Sequence, residues 1–254
     1  MQKQKKYNPF GIKSYYIFDN FRKTYLQYNK YMLELNKNGY IPKSGLLFDS
    51  ILNNDNCTGK TVLDLGCGYL GILGIISLCN GALSVDAIDY DEKCVNWLKK
   101  IKNDLNISNL NCYCSNWFNS IFNKKYDLIL SNPPQLPMSS GTLHDFGGKS
   151  GRLYIEKIIS DAYNFLNTNG ILYLLVFDFL GTCNRTNNDI SIFEYANKIG
   201  YSNIELAFEV EKVIKKDSLT FKSLDYIKEI YPLYNFYTED GTCRCNIQIL
   251  KIQK

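Results

Sequence analysis

The chain has 254 residues, of which 45% are hydrophobic, 21% are charged and six are proline, a composition that excludes a disordered or collagen-like protein. Its 29 Lys and Arg against 25 Asp and Glu give a net charge of +4, which by itself neither requires nor excludes an anionic partner. Asn8, Pro9 and Lys13 stand where a secretory signal would be apolar, and no uninterrupted apolar run reaches the length of about 18 residues that a membrane helix needs. The sequence therefore predicts a cytoplasmic protein with no membrane partner.

Nine cysteines are spread along the chain, an odd number in a protein too large to need disulfide staples, which indicates reduced thiols. Two pairs, Cys112 with Cys114 and Cys243 with Cys245, superficially resemble zinc-binding pairs. Each pair lies in an apolar run that predicts a strand, so we interpret these cysteines as buried structural residues and predict no metal site.

The first 57 residues are rich in Tyr and Phe and are predicted to form an N-terminal arm or cap, followed by a second domain over residues 58–254. Within the arm, aromatic and aliphatic residues recur at spacings of three and four, which predicts an amphipathic helix. The residues of this stripe are Phe18, Phe21, Tyr25, Tyr28, Met32 and Leu35. The stretch from Tyr25 to Leu35 is equally compatible with a hairpin around Asn29 and Lys30, and the sequence leaves the two alternatives open.

From Lys60 onward, predicted strands and helices alternate, which is typical of a mostly parallel sheet covered by helices on both faces. The predicted strands are residues 61–65, 83–88, 110–114, 126–130, 171–177, 204–210 and 245–252. The predicted helices are residues 72–79, 91–105, 153–166 and 190–199. The fold class is therefore α/β, with a doubly wound seven-stranded sheet. The aromatic segment 215–240 has two interpretations, a cap over a substrate pocket or packing onto the sheet.

A glycine-rich turn, Gly66-Cys67-Gly68-Tyr69-Leu70-Gly71, follows the first predicted strand of this sheet and opens a helix, as in dinucleotide-binding proteins. Asp89 ends the next strand, where an acidic side chain accepts hydrogen bonds from a ribose. Both features suit any adenosine-containing cofactor. A nicotinamide-dependent oxidoreductase is therefore an alternative function.

Two further features favour S-adenosylmethionine over a nicotinamide. Asp64 lies two residues before the first glycine, and a carboxylate there suits a cationic amino-acid tail better than a pyrophosphate. The segment Ser131-Asn132-Pro133-Pro134-Gln135 follows the fourth strand, at the end where open α/β sheets bind ligands. Its prolines stiffen the backbone and leave the Asn132 side chain and the Pro133 carbonyl available to a ligand.

These motifs resemble those of class I S-adenosylmethionine-dependent methyltransferases. Val62-Leu63-Asp64-Leu65-Gly66-Cys67-Gly68 looks like the first motif of that Rossmann-like family, and Ser131-Asn132-Pro133-Pro134 resembles the Asn-Pro-Pro-Tyr motif of its N-methylating branch. The stretches at 39–42, 115–118 and 146–151 are similar to segments of the release-factor glutamine methyltransferases. The resemblance spans roughly Tyr40 to Phe177 and implies methyl transfer from S-adenosyl-L-methionine to a nitrogen acceptor.

The resemblance also implies a role for individual residues. Asp64 and the backbone of Gly66 to Gly68 would hold the methionine part of the cofactor, Asp89 the ribose, and Asn116 the adenine. The full set of implied cofactor-binding residues is Asp64, Gly66, Cys67, Gly68, Tyr69, Asp89, Tyr90, Asn116, Trp117 and Asn132. The implied catalytic residues are Asn132, Pro133 and Gln135.

Three departures from the family pattern bear on the acceptor and on the cofactor loop. Gly71 comes one residue later than the usual third glycine, which would bring Tyr69 or Leu70 to the cofactor, and Asn116 replaces an acidic residue. Gln135 stands where tyrosine is usual, which removes an aromatic face for a flat acceptor. We therefore favour a small-molecule or peptide-like acceptor over a protein glutamine, with RNA or DNA less favoured.

The only histidine, His144, supplies a further alternative, because with Asp145 it could act as the general base of an O-methyltransferase. A solvent-exposed loop histidine is the simpler interpretation. The sequence indicates no oligomeric state.

Overall fold

The computed structural model describes residues 3–20, 23–37, 41–141, 144–182, 184, 190–239 and 241–254. It divides into two compact units, Met1–Leu130 and Ser131–Lys254. No helix in these described ranges has the length and apolar character needed to cross a membrane.

The first unit opens with a four-stranded antiparallel sheet in the order β1-β2-β3-β4. Its strands are β1 (Lys3–Tyr7), β2 (Tyr15–Asn20), β3 (Lys23–Tyr28) and β4 (Tyr31–Glu34). Tyr28 pairs with Tyr31 across a two-residue turn in which Asn29 has a φ of 50°, a backbone conformation that asparagine tolerates well. The hairpin alternative is therefore confirmed and the amphipathic helix is wrong. Phe21 of the predicted helical stripe lies outside the described residues.

The inner face of this sheet packs into the unit and is held there by polar contacts. Leu26 and Leu33 face each other across β3 and β4 and are completely buried. The Tyr15 and Tyr28 hydroxyls both donate to the Asp49 carboxylate, at the end of a 3-10 turn formed by Gly45–Ser50. The sheet therefore has a defined inner face, and its pattern of alternation follows period two rather than 3.6.

The rest of the first unit alternates strands and helices. Its elements are α1 (Asn54–Cys57), β5 (Thr61–Leu65), α2 (Ile72–Cys79), β6 (Ser84–Asp89), α3 (Glu92–Asp104), β7 (Leu110–Cys114) and β8 (Tyr126–Ser131). The strand order is β8-β5-β6-β7, with β5, β6 and β7 parallel. Each predicted element from residue 61 to residue 130 is confirmed to within one residue. The side chains of β5, β6 and β8 are mostly buried on both faces, whereas the edge strand β7 has only Leu110 fully buried.

The second unit contains α4 (Leu153–Phe165), β9 (Leu166–Phe177), α5 (Ile192–Ile199), β10 (Asn203–Val213), α6 (Leu219–Lys222), α7 (Leu224–Ile230), β11 (Tyr237–Glu239) and β12 (Thr242–Gln253). Strand β12 lies antiparallel between β9 and β10, and β11 pairs with β12. Strand β9 begins five residues earlier than predicted, since Asn169 bends the chain with a φ of 60° without ending the strand. Gly200 ends α5 in the left-handed region, as predicted.

The aromatic segment 215–240 forms α6, α7 and β11. Tyr231, Tyr234 and Phe236 surround the fully buried Phe179, with ring centroids 5.8–6.2 Å apart. Tyr234 also donates a hydrogen bond to Asp178, at 2.8 Å. The segment therefore packs aromatic rings onto Phe179, directly after β9, as the packing interpretation predicts, and the cap interpretation stays a prediction.

Candidate active site

The glycine loop after β5 leaves open space beside its backbone. Gly66 and Gly68 have φ values of 80° and 59°, in the left-handed region that favours glycine. The N–H groups of Gly66 and Cys67 both donate to the Ile88 carbonyl at 2.9 Å, which ties the loop to the end of β6. A Cβ atom added to Gly66 or Gly68 would meet no atom within 4 Å. A ligand can therefore approach the main chain closely at both positions.

The two glycines that follow serve packing within the protein. A Cβ on Gly71 would lie 2.8 Å from Leu98, and a Cβ on Gly74 would lie 2.8 Å from Val85. The Gly74 N–H donates to Asp64 at 2.9 Å. Sequence reasoning missed Gly74, although a glycine inside an apolar helix is a recognisable sign of close packing.

Asp64 is a fully buried carboxylate with one unused oxygen. Its Oδ2 accepts the Gly74 N–H, whereas Oδ1 has no hydrogen-bond partner among the described residues. Burial raises the pKa of the Asp64 carboxyl to about 7; the negative charge of Asp89 adds to this effect, and the Gly74 hydrogen bond opposes it. A nearby cation or a water molecule would offset the cost of burying the unpaired oxygen.

Asp89 connects the ends of two neighbouring strands. Its Oδ2 accepts the Gly68 N–H at 2.8 Å, and its Oδ1 accepts the Asp91 N–H at 2.9 Å. The residue is half-buried, and each carboxylate oxygen can accept more than one hydrogen bond. Asp89 is thus fixed in place and still able to accept from the hydroxyl groups of a ligand.

The remaining predicted cofactor residues of the first unit also follow β5, β6 or β7. Because these strands are parallel, their carboxyl ends lie at one edge of the sheet, which brings the predicted residues to that edge. Tyr69 is half-buried, Tyr90 is 65% exposed, and Asn116 is exposed before the 3-10 turn of Trp117–Ile121. Cys67 is buried, and burial raises the pKa of its thiol well above the usual value, so it is not a reactive thiolate.

In the second unit, both the oxygen and the nitrogen of the Gln135 side-chain amide form hydrogen bonds with the backbone. Its Nε2 donates to the carbonyls of Pro133 and Leu175, at 3.3 and 3.1 Å, and its Oε1 accepts the Phe177 N–H at 2.7 Å. The side chain is almost completely buried. These contacts differ from the expectation that Gln135 faces the acceptor, and they favour a positioning role that fixes the loop to β9.

The segment 146–151 packs against the loop that follows β8, at Gln135 and Leu136. Leu136 donates to the Asp145 carbonyl at 3.0 Å and accepts from the Gly147 N–H at 2.9 Å. A Cβ on Gly147 would lie 2.5 Å from the Gln135 Cα, and a Cβ on Gly151 would lie 2.7 Å from the Gln135 carbonyl oxygen. Glycine is required here because two stretches of main chain are in contact.

The other predicted residues of the loop differ in exposure. Asn132 is half-buried and Pro133 is buried, and both lie directly after β8. His144 is exposed, which confirms its interpretation as a surface loop histidine. Within the described residues, no three His, Cys, Asp or Glu side chains form a metal-binding group.

The paired cysteines lie in strands, as predicted, but not all of them are buried. Cys245 in β12 is fully buried, whereas Cys114 in β7 is exposed. The expectation that these cysteines are buried is therefore wrong for Cys114, which faces outward on a strand at the edge of its sheet, and Cys112 and Cys243 are only half-buried. All eight cysteines in the described part of the chain are free thiols, and Cys183 lies outside that part.

Comparisons with known proteins agree with this description. Residues 42–201 match the family model of the methyltransferase small domain. A putative protein N5-glutamine methyltransferase of Methanocaldococcus jannaschii is 32% identical over 137 residues, which cover 50% of this chain and 68% of that protein. A release factor glutamine methyltransferase of Francisella tularensis is 27% identical over 139 residues, or 50% of this chain and 48% of that protein. The chain spans about half the length of most of the curated relatives it matches.

Solved structures share the fold. A T. thermophilus 16S rRNA methyltransferase in complex with AdoMet and guanosine superposes with a TM-score of 0.55 at 15% identity, covering 100% of this chain and 50% of that chain. A putative methyltransferase complexed with SAH gives a TM-score of 0.57 at 16% identity, covering 93% of this chain and 57% of that chain. The predicted α/β class I methyltransferase fold is thereby confirmed.

The family match includes every residue from Asp64 to Gln135 that the sequence motifs singled out, and it covers well over half of the chain. The resemblance to methyltransferases is therefore confirmed, and this chain belongs to the methyltransferase small domain family.

Proposed function

We propose that this chain transfers a methyl group from S-adenosylmethionine to a planar nitrogen atom. The observation that carries the proposal is the open backbone at Gly66 and Gly68, beside a fixed carboxylate on Asp89 and an unpaired carboxylate oxygen on Asp64. When bound, the cofactor supplies a methyl group on a positively charged sulfur, ready for attack by a nucleophile.

The first unit supplies the groups that would hold the cofactor. The Gly66–Gly68 backbone would lie against its amino-acid part, and the negative charge of Asp64 would attract the ammonium group. Asp89 would accept hydrogen bonds from the ribose hydroxyls with its remaining lone pairs. The exposed Asn116 would accept from the adenine amino group through its side-chain carbonyl.

The second unit supplies the groups that would hold the acceptor. The lone pair of an amide or aromatic amine nitrogen is delocalised, so the nitrogen must be oriented before it can attack. The side-chain carbonyl of Asn132 and the main-chain carbonyl of Pro133 would accept from its two hydrogens. Gln135 donates to the Pro133 carbonyl and to Leu175, which would hold that carbonyl in position and leave it a second lone pair.

The names of the two relatives support a glutamine amide as the first acceptor to test, presented on a peptide. This changes the order given by the sequence, which placed a small-molecule or peptide-like acceptor ahead of a protein glutamine, and a small-molecule amide becomes the second choice. Acceptors in RNA or DNA are less favoured for this site. The division into an arm at residues 1–57 and a methyltransferase domain at 58–254, and the cytoplasmic location, remain predictions.

The cofactor assignment is tested by isothermal titration with S-adenosylmethionine, S-adenosylhomocysteine and NADH. We expect micromolar binding of the first two and none of NADH. Binding of NADH alone would overturn the proposal and favour the nicotinamide-dependent alternative.

The acceptor side is tested with a glutamine-containing peptide and methyl-labelled cofactor, followed by mass spectrometry of the methylated atom. Asn132→Ala should lower kcat by about a hundredfold because it removes one of two orienting acceptors, while cofactor affinity stays within about threefold. His144→Ala is the control and should leave kcat unchanged. Loss of activity in His144→Ala with full activity in Asn132→Ala would instead indicate O-methylation.

A further inference from the structure

The four-stranded N-terminal sheet has aromatic side chains on the face that points away from the core. Its inner face carries Leu26 and Leu33, whereas Tyr16, Phe18 and Tyr25 lie on the opposite face and are exposed or half-buried. A solvated sheet face usually carries polar residues. Three aromatic rings on such a face therefore suggest a binding surface.

The three rings are neighbours on adjacent strands. Phe18 in β2 lies directly opposite Tyr25 in β3, and the ring centroids of Tyr16 and Phe18 are 6.4 Å apart. Met32, opposite Gln27, extends the same face onto β4. We call the exposed face formed by Tyr16, Phe18, Tyr25 and Met32 the aromatic platform.

The positive charge of the chain is concentrated in the N-terminal segment that contains this sheet. Residues 1–37 contain eight Lys and Arg but only two Asp and Glu, a net charge of +6, which leaves the remaining residues with a net charge of −2. Lys6 in β1 pairs with Tyr16 and therefore lies on the aromatic platform side. The overall charge of +4 is thus the sum of a basic N-terminal segment and a slightly acidic remainder.

The sheet is held rigidly within the first unit. The Glu34 carboxylate at the end of β4 binds both Lys23, at 3.0 Å, and Lys100, at 2.7 Å. The Trp97 indole N–H donates to the Glu34 carbonyl at 3.0 Å. Rings fixed on a rigid sheet lose little conformational entropy when a ligand stacks on them.

We propose that the aromatic platform binds single-stranded nucleic acid, with bases stacked on Tyr16, Phe18 and Tyr25 and phosphates bound by Lys6 and neighbouring basic residues. Unpaired bases stack on exposed aromatic rings, and clustered lysines attract the phosphate backbone. The charge argues against a second copy of the chain on this face, since two N-terminal segments that each carry a net charge of +6 repel each other. The surface is separate from the methyl-transfer proposal, so either can fail without the other.

Binding is tested by fluorescence anisotropy of the full chain with fluorescein-labelled 12-nucleotide oligouridine and oligothymidine, at 50 and 200 mM salt. We expect both single strands to bind, with affinity that falls as salt rises. A 12-base-pair duplex should bind about tenfold or more weakly, because its bases are not available for stacking. Absence of binding to both single strands at 50 mM salt, or equal affinity for the duplex, would overturn the proposal.

The rings are tested with the triple variant Tyr16→Leu, Phe18→Leu and Tyr25→Leu, which keeps apolar side chains but removes the aromatic faces. Affinity should fall at least about tenfold. Phe122→Leu is the matched control, since Phe122 is 74% exposed in the same unit but outside the N-terminal sheet, and its affinity should not change. An equal loss in the control would contradict stacking on the platform.

The charges are tested separately, which keeps the proposal testable if the triple variant fails to fold. Lys6→Gln should reduce the slope of log affinity against log salt by about one, because about one counterion is released for each phosphate contact. Lys228→Gln, an exposed lysine in α7, should leave the slope unchanged. Thermal unfolding of each variant checks the fold, and an unchanged slope in Lys6→Gln would contradict the phosphate assignment.

Discussion

The loop after β5 and the loop after β8 both contain glycine, but the two regions use it for different purposes. At Gly66 and Gly68, an added Cβ would meet nothing within 4 Å, so the missing side chain leaves room for a ligand. At Gly147, an added Cβ would lie 2.5 Å from the main chain of Gln135, so the missing side chain lets the protein pack on itself. The same residue type therefore marks a candidate binding surface in one loop and an internal support in the other.

The buried polar side chains near the two loops also differ, in whether all their polar atoms have hydrogen-bond partners within the protein. Asp64 keeps an oxygen without a partner among the described residues, whereas the Gln135 amide uses its oxygen and its nitrogen on the backbone. An unpaired buried polar group is costly and suggests a missing partner, while a fully bonded one indicates a structural role. The following predictions test this contrast, beginning with the largest effect.

Gly147→Ala should lower the free energy of unfolding by about 3 kcal/mol or more, because the new methyl group overlaps main-chain atoms that cannot move independently. Urea denaturation of the variant measures the change. Gly141→Ala is the matched control, since its Cβ would meet the flexible Met138 side chain at 3.1 Å. Equal effects in the two variants would show that the close approach at Gly147 does not matter.

Gln135→Ala should lower the free energy of unfolding by about 2 kcal/mol, since the buried Phe177 N–H and Leu175 carbonyl lose a partner. Gln4→Ala, at an exposed position of β1, should change stability by less than about 0.5 kcal/mol. Chemical denaturation of both variants gives the comparison. A stable Gln135→Ala protein with no activity would instead return Gln135 to a catalytic role.

Gly68→Ala should lose about 1 kcal/mol of stability, because alanine is strained at a φ of 59°. It should also lose cofactor affinity, since the methyl group occupies the open space beside the loop. Gly59→Ala is closely matched, with a φ of 73° and no atom within 4 Å of its Cβ, but it lies before β5. Calorimetry should show similar destabilisation in both variants and weaker S-adenosylhomocysteine binding in Gly68→Ala alone.

The affinity for S-adenosylmethionine should rise about threefold between pH 6.5 and pH 7.5, given a pKa of about 7 for Asp64. Below that pKa the carboxyl is mostly protonated and neutral, and above it the carboxylate attracts the cationic ligand. The ammonium group of the ligand titrates near pH 8 and stays mostly charged over this range. Isothermal titration measures the affinity, and Asp64→Asn should give a flat profile. A wild-type affinity that falls with pH would contradict the assigned role.

Much of the fold was predictable because hydrophobic periodicity and glycine position set local structure. Strand β5, helix α2 and strand β7 have the predicted bounds, since each is a short apolar run with a clear turn signal at its end. The N-terminal arm was not predictable in this way. Its aromatic residues fit both a helix and a hairpin, and only the pairing of Tyr28 with Tyr31 distinguishes them.

The candidate site likewise has a part that was predictable from the sequence and a part that was not. The sequence alone placed Asp64, Gly66 and Asp89 at the ends of adjacent strands, because parallel strands bring their carboxyl ends to one edge. It did not show the contacts of Gln135, since nothing in a sequence shows that an amide will bind the backbone of a strand 40 residues away.

The sequence and the tertiary structure determined different properties of this protein. The sequence by itself determined that the chain is mildly basic, that its strands and helices alternate, and that it carries a methyltransferase motif. These properties depend on residue identity and spacing alone. Only the tertiary structure decided which faces remain open, since exposure depends on which side chains the strand pairing turns toward the core. It buried Asp64 and Gln135 and left Tyr16 and Lys6 at the surface.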